Sequence, residues 1–86
     1  DVISAIRSME GKYRFDVIFM DPPYKHEYEK EVLECLKDSS ILKEDTLIIV
    51  EASLDTSFDY LSELGFTLKK LKTYKTNVHA FITKAE

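Results

Sequence analysis

Four consecutive residues, Asp21, Pro22, Pro23 and Tyr24, combine an acid, a rigid backbone and an aromatic ring. The Asp21 carboxylate can accept a hydrogen bond from an amine, and the carbonyl oxygen of Pro22 can accept another. The Tyr24 ring can stack on a flat heterocycle. Holding both N–H groups of an exocyclic amine turns the nitrogen lone pair out of ring conjugation and toward an electrophile. The tetrapeptide therefore predicts a site for such a base. The alternative is a Pro-Pro turn with a solvated acid and a packed tyrosine.

The tetrapeptide follows an apolar run, residues 15–20. Such a run is typical of a strand that is buried on both faces of a sheet. The prolines end the strand because neither has an N–H for the sheet ladder, and Pro23 keeps Pro22 out of the helical region. The acid and the ring are therefore expected just beyond the carboxyl end of a strand, where open α/β sheets bind their ligands.

Further polar residues are candidates for substrate contacts. Glu51 ends a second predicted strand, residues 46–52, at the same edge of a parallel sheet as Asp21. It either contacts substrate, orients the rigid corner formed by residues 21–24 or is simply solvated. His26 lies beside the corner and either touches a phosphate or base or is an exposed histidine without a role. Asn77, with Tyr74, sits in a predicted hairpin that could reach a nucleic acid, although a lysine-rich edge also simply prevents aggregation.

Three stretches resemble a known family: residues 15–25, residues 47–51 (Leu-Ile-Ile-Val-Glu) and residues 74–78 (Tyr-Lys-Thr-Asn-Val). The Asp-Pro-Pro-Tyr motif is similar to the signature of class I amino-methyltransferases, which methylate exocyclic nitrogens of nucleic-acid bases using S-adenosylmethionine. The flanking stretches are similar to the bacterial 16S rRNA guanine-N2 methyltransferases. The resemblance runs nearly the whole length of the chain.

The resemblance implies that residues 1–86 are the C-terminal half of a methyltransferase domain, without the glycine-rich cofactor loop. It assigns catalysis to the motif at residues 21–24, with ribosomal RNA as the partner. It also places Asp1 near the adenine of the cofactor, although an N-cap on the first helix explains Asp1 equally well. The activity is then expected in the full-length parent, and the fragment alone is expected to be inactive.

The order of the predicted elements indicates the second half of a doubly wound α/β sheet, whose parallel strands are closed by an antiparallel hairpin. The resemblance implies that this is the C-terminal half of a Rossmann-like class I methyltransferase sheet. The family resemblance places the last strand between the second and third, which leaves the first strand at an open edge. That edge is expected to self-associate or to pair with the missing half. The predicted order is helix 1–10, strand 15–20, helix 27–38, strand 46–52, helix 55–64, strand 66–74 and strand 78–83.

The composition sets broader limits. A chain of 86 residues forms at most one small domain, and it has neither an apolar run long enough for a membrane span nor a metal-ligand cluster. A single cysteine predicts the cytoplasm. The formal net charge of −4 disfavours phosphate binding overall. Phosphate contacts are therefore expected from a basic surface in the missing half, or alternatively from the lysines at positions 69, 70, 72 and 75.

Two other functions stay open. The corner does not distinguish one exocyclic amine from another, so the substrate could be adenine N6 of DNA. A different class of function is a non-catalytic fragment or interaction module that keeps the corner without binding cofactor.

Overall fold

The computed structural model describes residues 2–21 and 28–85. Within these residues no helix is long and apolar enough to cross a membrane. The elements of this part, in chain order, are α1 (Val2–Met9), β1 (Phe15–Met20), α2 (Tyr28–Lys37), β2 (Leu42–Ser53), β3 (Phe66–Thr73) and β4 (Asn77–Lys84).

The four described strands form one sheet in the order β1-β2-β4-β3. Strands β1 and β2 are parallel, and β4 runs antiparallel to both β2 and β3. The last strand therefore lies between the second and third, and β1 is an edge strand, as predicted. This sheet is the Rossmann-like α/β arrangement expected from the sequence, with parallel strands closed by an antiparallel hairpin.

The core lies on one face of the sheet. Ile48 and Val50 of β2 and Ile82 of β4 have no exposed surface, and Leu33 of α2 and Ile6 of α1 belong to the same buried cluster. Fully burying one such side chain stabilises the fold by about 1.5–3 kcal/mol. The periodic apolar positions of the two helices thus hold the sheet from this side.

The opposite face is more open than the sequence predicts for β1. Val17 and Phe19 are each 56% exposed, whereas Met20 is buried. The prediction of a strand buried on both faces is therefore wrong for the described part of the chain. Successive side chains of a strand point to opposite faces, and the core packs on only one of them.

The prediction of a helix over residues 55–64 is also wrong. The structure has a series of turns in this segment instead. The turns are closed by bonds between residues three apart, such as Leu61 N–H to the Phe58 carbonyl. Short polar side chains compete with the helix for the hydrogen bonds of the backbone, and here the Ser57 hydroxyl accepts a bond from the Asp59 N–H. Phe58 and Leu61 are nevertheless buried, as the helical periodicity predicted.

The parallel pairing of β1 and β2 contains one irregularity. Phe15 is paired with Leu42, but Val17 is paired with Leu47, so β2 has extra residues here. The buried hydroxyl of Thr46 satisfies this break, since it donates to the Phe15 carbonyl (2.6 Å) and accepts from the Lys43 N–H (2.8 Å). Strand β2 therefore begins at Leu42, before the start at residue 46 that the sequence predicted.

Thr46→Val should destabilise the chain by about 1–3 kcal/mol. The substitution keeps the shape but leaves the Phe15 carbonyl and the Lys43 N–H without their partner. Urea unfolding measures the free energy. Thr67→Val, at an exposed position of β3, is the matched control and should change it by less than about 0.5 kcal/mol. Equal effects of the two substitutions would contradict the role given to Thr46.

Candidate functional site

Asp21 follows directly on β1, and its side chain is exposed. This is the position that the sequence predicts, just past the carboxyl end of a strand that pairs in parallel with β2. Asp1, Pro22, Pro23, Tyr24 and His26 lie outside the described residues. The roles predicted for these five residues therefore stay predictions.

Glu51 lies near the carboxyl end of β2, at the same edge of the sheet as Asp21. Its Oε1 atom is 3.2 Å from Nε2 of His79, the residue opposite it in the antiparallel pair of β2 and β4. The two side chains are only 23% and 22% exposed, respectively. The carboxylate of Glu51 is therefore fixed in place by an imidazole and still reachable from solvent.

Two aromatic rings flank the imidazole of His79. The Phe19 ring meets it edge-on, with centroids 5.9 Å apart and planes at 85°. The Tyr74 ring lies 4.7 Å away at 57°. These contacts place Phe19, Glu51 and His79 on one face of the sheet, which is the face that the helices leave open.

The turn between β3 and β4 brings Tyr74 and Asn77 to the same edge. The Tyr74 N–H donates to the Asn77 carbonyl at 2.8 Å. The side-chain Oδ1 of Asn77 is buried and has no hydrogen-bond partner among the described residues. The ammonium group of Lys72 lies 5.3 Å from the Tyr74 ring centroid. The predicted substrate residues Glu51 and Asn77 thus lie at the same end of the sheet, together with the Tyr74 ring and the Lys72 ammonium group.

His79 is a residue that the sequence analysis missed. The available signal was its place in an alternating strand, where Asn77, His79 and Phe81 share one face. Pairing it with Glu51 required the register of β2 and β4, and the sequence does not give that register.

A cleft of about 350 Å³ lies away from this site, lined by Gly11, Lys12, Tyr13, Arg14 and Ser40. It is next to the amino end of β1, whereas Asp21 follows the carboxyl end of the same strand. Within residues 2–21 and 28–85, no group of three His, Cys, Asp or Glu side chains could hold a metal ion.

Comparison with solved structures identifies the same fold in longer proteins. A Haemophilus influenzae protein provisionally named a methylase superposes with a TM-score of 0.80 at 24% identity, covering 100% of this chain and 48% of its own. An Escherichia coli protein provisionally named a methyltransferase gives a TM-score of 0.70 at 18% identity, covering 96% and 44%. At these identities the likeness shows the fold alone.

Sequence comparison finds an uncharacterized methylase of Rickettsia prowazekii that is 36% identical over 57 residues, which is 66% of this chain and 24% of that protein. The chain therefore spans about half the length of the two solved structures and a quarter of the Rickettsia protein. A model of the family described as conserved hypothetical protein 95 matches residues 1–83. Because this match covers nearly the whole chain, the chain belongs to the conserved hypothetical protein 95 family.

Proposed function

We propose that this chain is the base-binding half of an S-adenosylmethionine-dependent methyltransferase that acts on guanine N2 of 16S rRNA in the cytoplasm. The observation that carries the proposal is Asp21, exposed directly after the parallel strand β1 and beside the carboxyl end of β2. Family membership and relatives named as methylases support methyl transfer. The resemblance of the flanking stretches to rRNA enzymes supports the choice of substrate.

The residues that follow Asp21 have stated roles in this proposal. The Asp21 carboxylate and the Pro22 carbonyl accept the two N–H bonds of the amine, Pro23 stiffens the corner, and Tyr24 stacks on the base. The target base must leave its stack to reach them. His26 and Asn77 contact the RNA next to the target base.

S-adenosylmethionine would supply an electrophilic methyl group: the amine nitrogen would form a bond to the methyl carbon, the bond from sulfur to that carbon would break, and S-adenosylhomocysteine would leave. The methylated nitrogen would then release one proton to water, since prior deprotonation of a conjugated amine by a carboxylate is steeply uphill. The contribution of the chain is mainly orientation, which is worth about 7–11 kcal/mol in well-aligned reactions.

The described residues do not fit a cofactor pocket. Gly11 and Gly65 have φ angles of 78° and 84°, and they lie where α1 ends and where β3 begins. A glycine-rich cofactor loop instead follows the carboxyl end of a strand. We assign cofactor binding to a preceding half of the complete protein, with Asp1 as the contact that this chain contributes.

The open edge of β1 is the surface where we place that half. Val17 and Phe19 are exposed there, and Asp16, the charged residue of the strand, is engaged by Lys43 of β2. The hydrogen bond to the Asp16 carboxylate also raises the pKa of Lys43. An edge strand with two exposed apolar side chains invites another strand, and the exposed carboxylate of Asp16 lies at its other end. In the isolated chain we expect β1 of a second copy to pair at this edge instead of the missing half.

Asp21→Ala should lower methyl transfer by the complete protein at least tenfold. A lost hydrogen bond to a charged group costs about 1.5–3 kcal/mol, which corresponds to roughly 10- to 150-fold in rate. Transfer of radiolabelled methyl groups to 16S rRNA measures the effect. Asp16→Ala, at the other end of the same exposed strand, is the control and should retain activity. Activity of Asp21→Ala within threefold of wild type would refute the assignment.

The isolated 86-residue chain should bind S-adenosylmethionine weakly or not at all, and it should self-associate. Calorimetry and sedimentation velocity test the two statements. Val17→Lys should reduce self-association, because lysine blunts a sheet edge. Leu71→Lys on the lysine-rich strand β3 should leave self-association unchanged. A monomeric chain with micromolar cofactor affinity would contradict both parts.

A further inference from the structure

Asp21 directly follows the last residue of β1, and Glu51 lies near the carboxyl end of the neighbouring strand β2. Met20 and Val50 are Cα partners in the parallel pair of β1 and β2, so Asp21 and Glu51 take the next positions. Neighbouring strands are about 4.8 Å apart. The carboxylates of these two residues can therefore reach two adjacent groups of one small, flat ligand.

The position of Glu51 is fixed by its surroundings. His79 holds one carboxylate oxygen at 3.2 Å, and the Phe19 and Tyr74 rings in turn hold the imidazole. A carboxylate has about four acceptor positions, so Glu51 can accept a ligand N–H while it keeps the bond to His79 and its further contact within the chain. With 23% of its side chain exposed, Glu51 is accessible to a ligand that lies over this end of the sheet.

A carboxylate in this place distinguishes guanine from adenine. Guanine presents N–H donors at N1 and N2 along one edge, whereas adenine presents a donor at N6 and an acceptor at N1. An ionised carboxylate only accepts hydrogen bonds, so it can pair with the N1–H of guanine. It cannot pair with N1 of adenine, because that nitrogen is also an acceptor and the two lone pairs repel each other. A site built for a donor rejects the analogue that lacks it by a large factor, because the acceptor is left unpaired.

We propose that Glu51 accepts the N1–H of guanine while Asp21 holds the N2 amine, and that this pairing selects guanine over adenine. The inference rests on the proposed function and makes Glu51 a specificity-determining residue. His79 is a positioning residue, since it acts through Glu51. The two substrates that the corner motif alone left open, guanine N2 and adenine N6, are separated by these two side chains.

The test uses RNA in which 2-aminopurine replaces the target guanine. This base keeps the N2 amine but has an acceptor at N1. Wild-type complete protein should have a kcat/KM at least tenfold lower for 2-aminopurine RNA than for guanine RNA. Glu51→Gln supplies an amide N–H₂ that can donate to N1, so the ratio of the two kcat/KM values should shift toward 2-aminopurine at least tenfold.

Comparing ratios removes effects that both proteins share, such as the loss of O6 from 2-aminopurine. Glu63→Gln, at an exposed position before β3, is the matched control and should leave the ratio at its wild-type value. His79→Leu should relax the ratio, and His79→Gln, which keeps an N–H donor for Glu51, should restore it. A merely structural role of His79 would lower activity on both RNAs without changing their ratio.

A ratio within twofold of wild type in Glu51→Gln would overturn the inference while leaving the proposed function in place. If Glu51→Gln fails to fold, the His79→Leu and His79→Gln pair decides, and equal ratios in both would overturn the inference. Undiminished activity of Asp21→Ala, or a wild-type protein that methylates no guanine RNA, would overturn the proposed function, and this inference with it.

Discussion

The parallel pairing of β1 with β2 is the constraint on which the site depends. Its register, Met20 against Val50, brings the residues after β1 and the end of β2 to one edge of the sheet. The pairing is held from one side by the buried side chains of β2 and α2 and, at its irregular end, by the Thr46 hydroxyl. A slip of one residue would turn Glu51 to the core face and Val50 to solvent. Burial of the apolar face therefore fixes the positions of Asp21 and Glu51.

The two edges of the sheet differ in a way that fits this construction. The outer strand β3 carries exposed lysines at positions 69, 70 and 72 and a register shift between Leu68 and Lys70, both of which discourage further pairing. The opposite edge, β1, exposes Val17 and Phe19. The β3 edge is therefore protected against further strand pairing, and the β1 edge lacks this protection.

Local sequence signals predicted most of the fold. The bounds of β1 follow from its apolar run and the prolines behind it, and the left-handed Gly11 marks the end of α1. The place of β4 between β2 and β3 came from family resemblance. The segment 55–64 was mispredicted because its apolar spacing is helical, whereas Asp55 and Thr56 bond to the Ser53 hydroxyl and the Ser57 hydroxyl accepts from the Asp59 N–H. The bond between Glu51 and His79 could not be predicted from the sequence, because it depends on a strand register that is set by packing between distant segments.

The central claim is that Asp21 holds the exocyclic amine of an unstacked guanine. A crystal structure of the complete protein with S-adenosylhomocysteine and an RNA oligonucleotide that contains the target guanine tests it most directly. The distance between an Asp21 carboxylate oxygen and guanine N2 should be about 2.7–3.2 Å, the range of a hydrogen bond. An ordered guanine whose N2 lies near the methyl-donor sulfur but beyond hydrogen-bonding distance of Asp21 would contradict it.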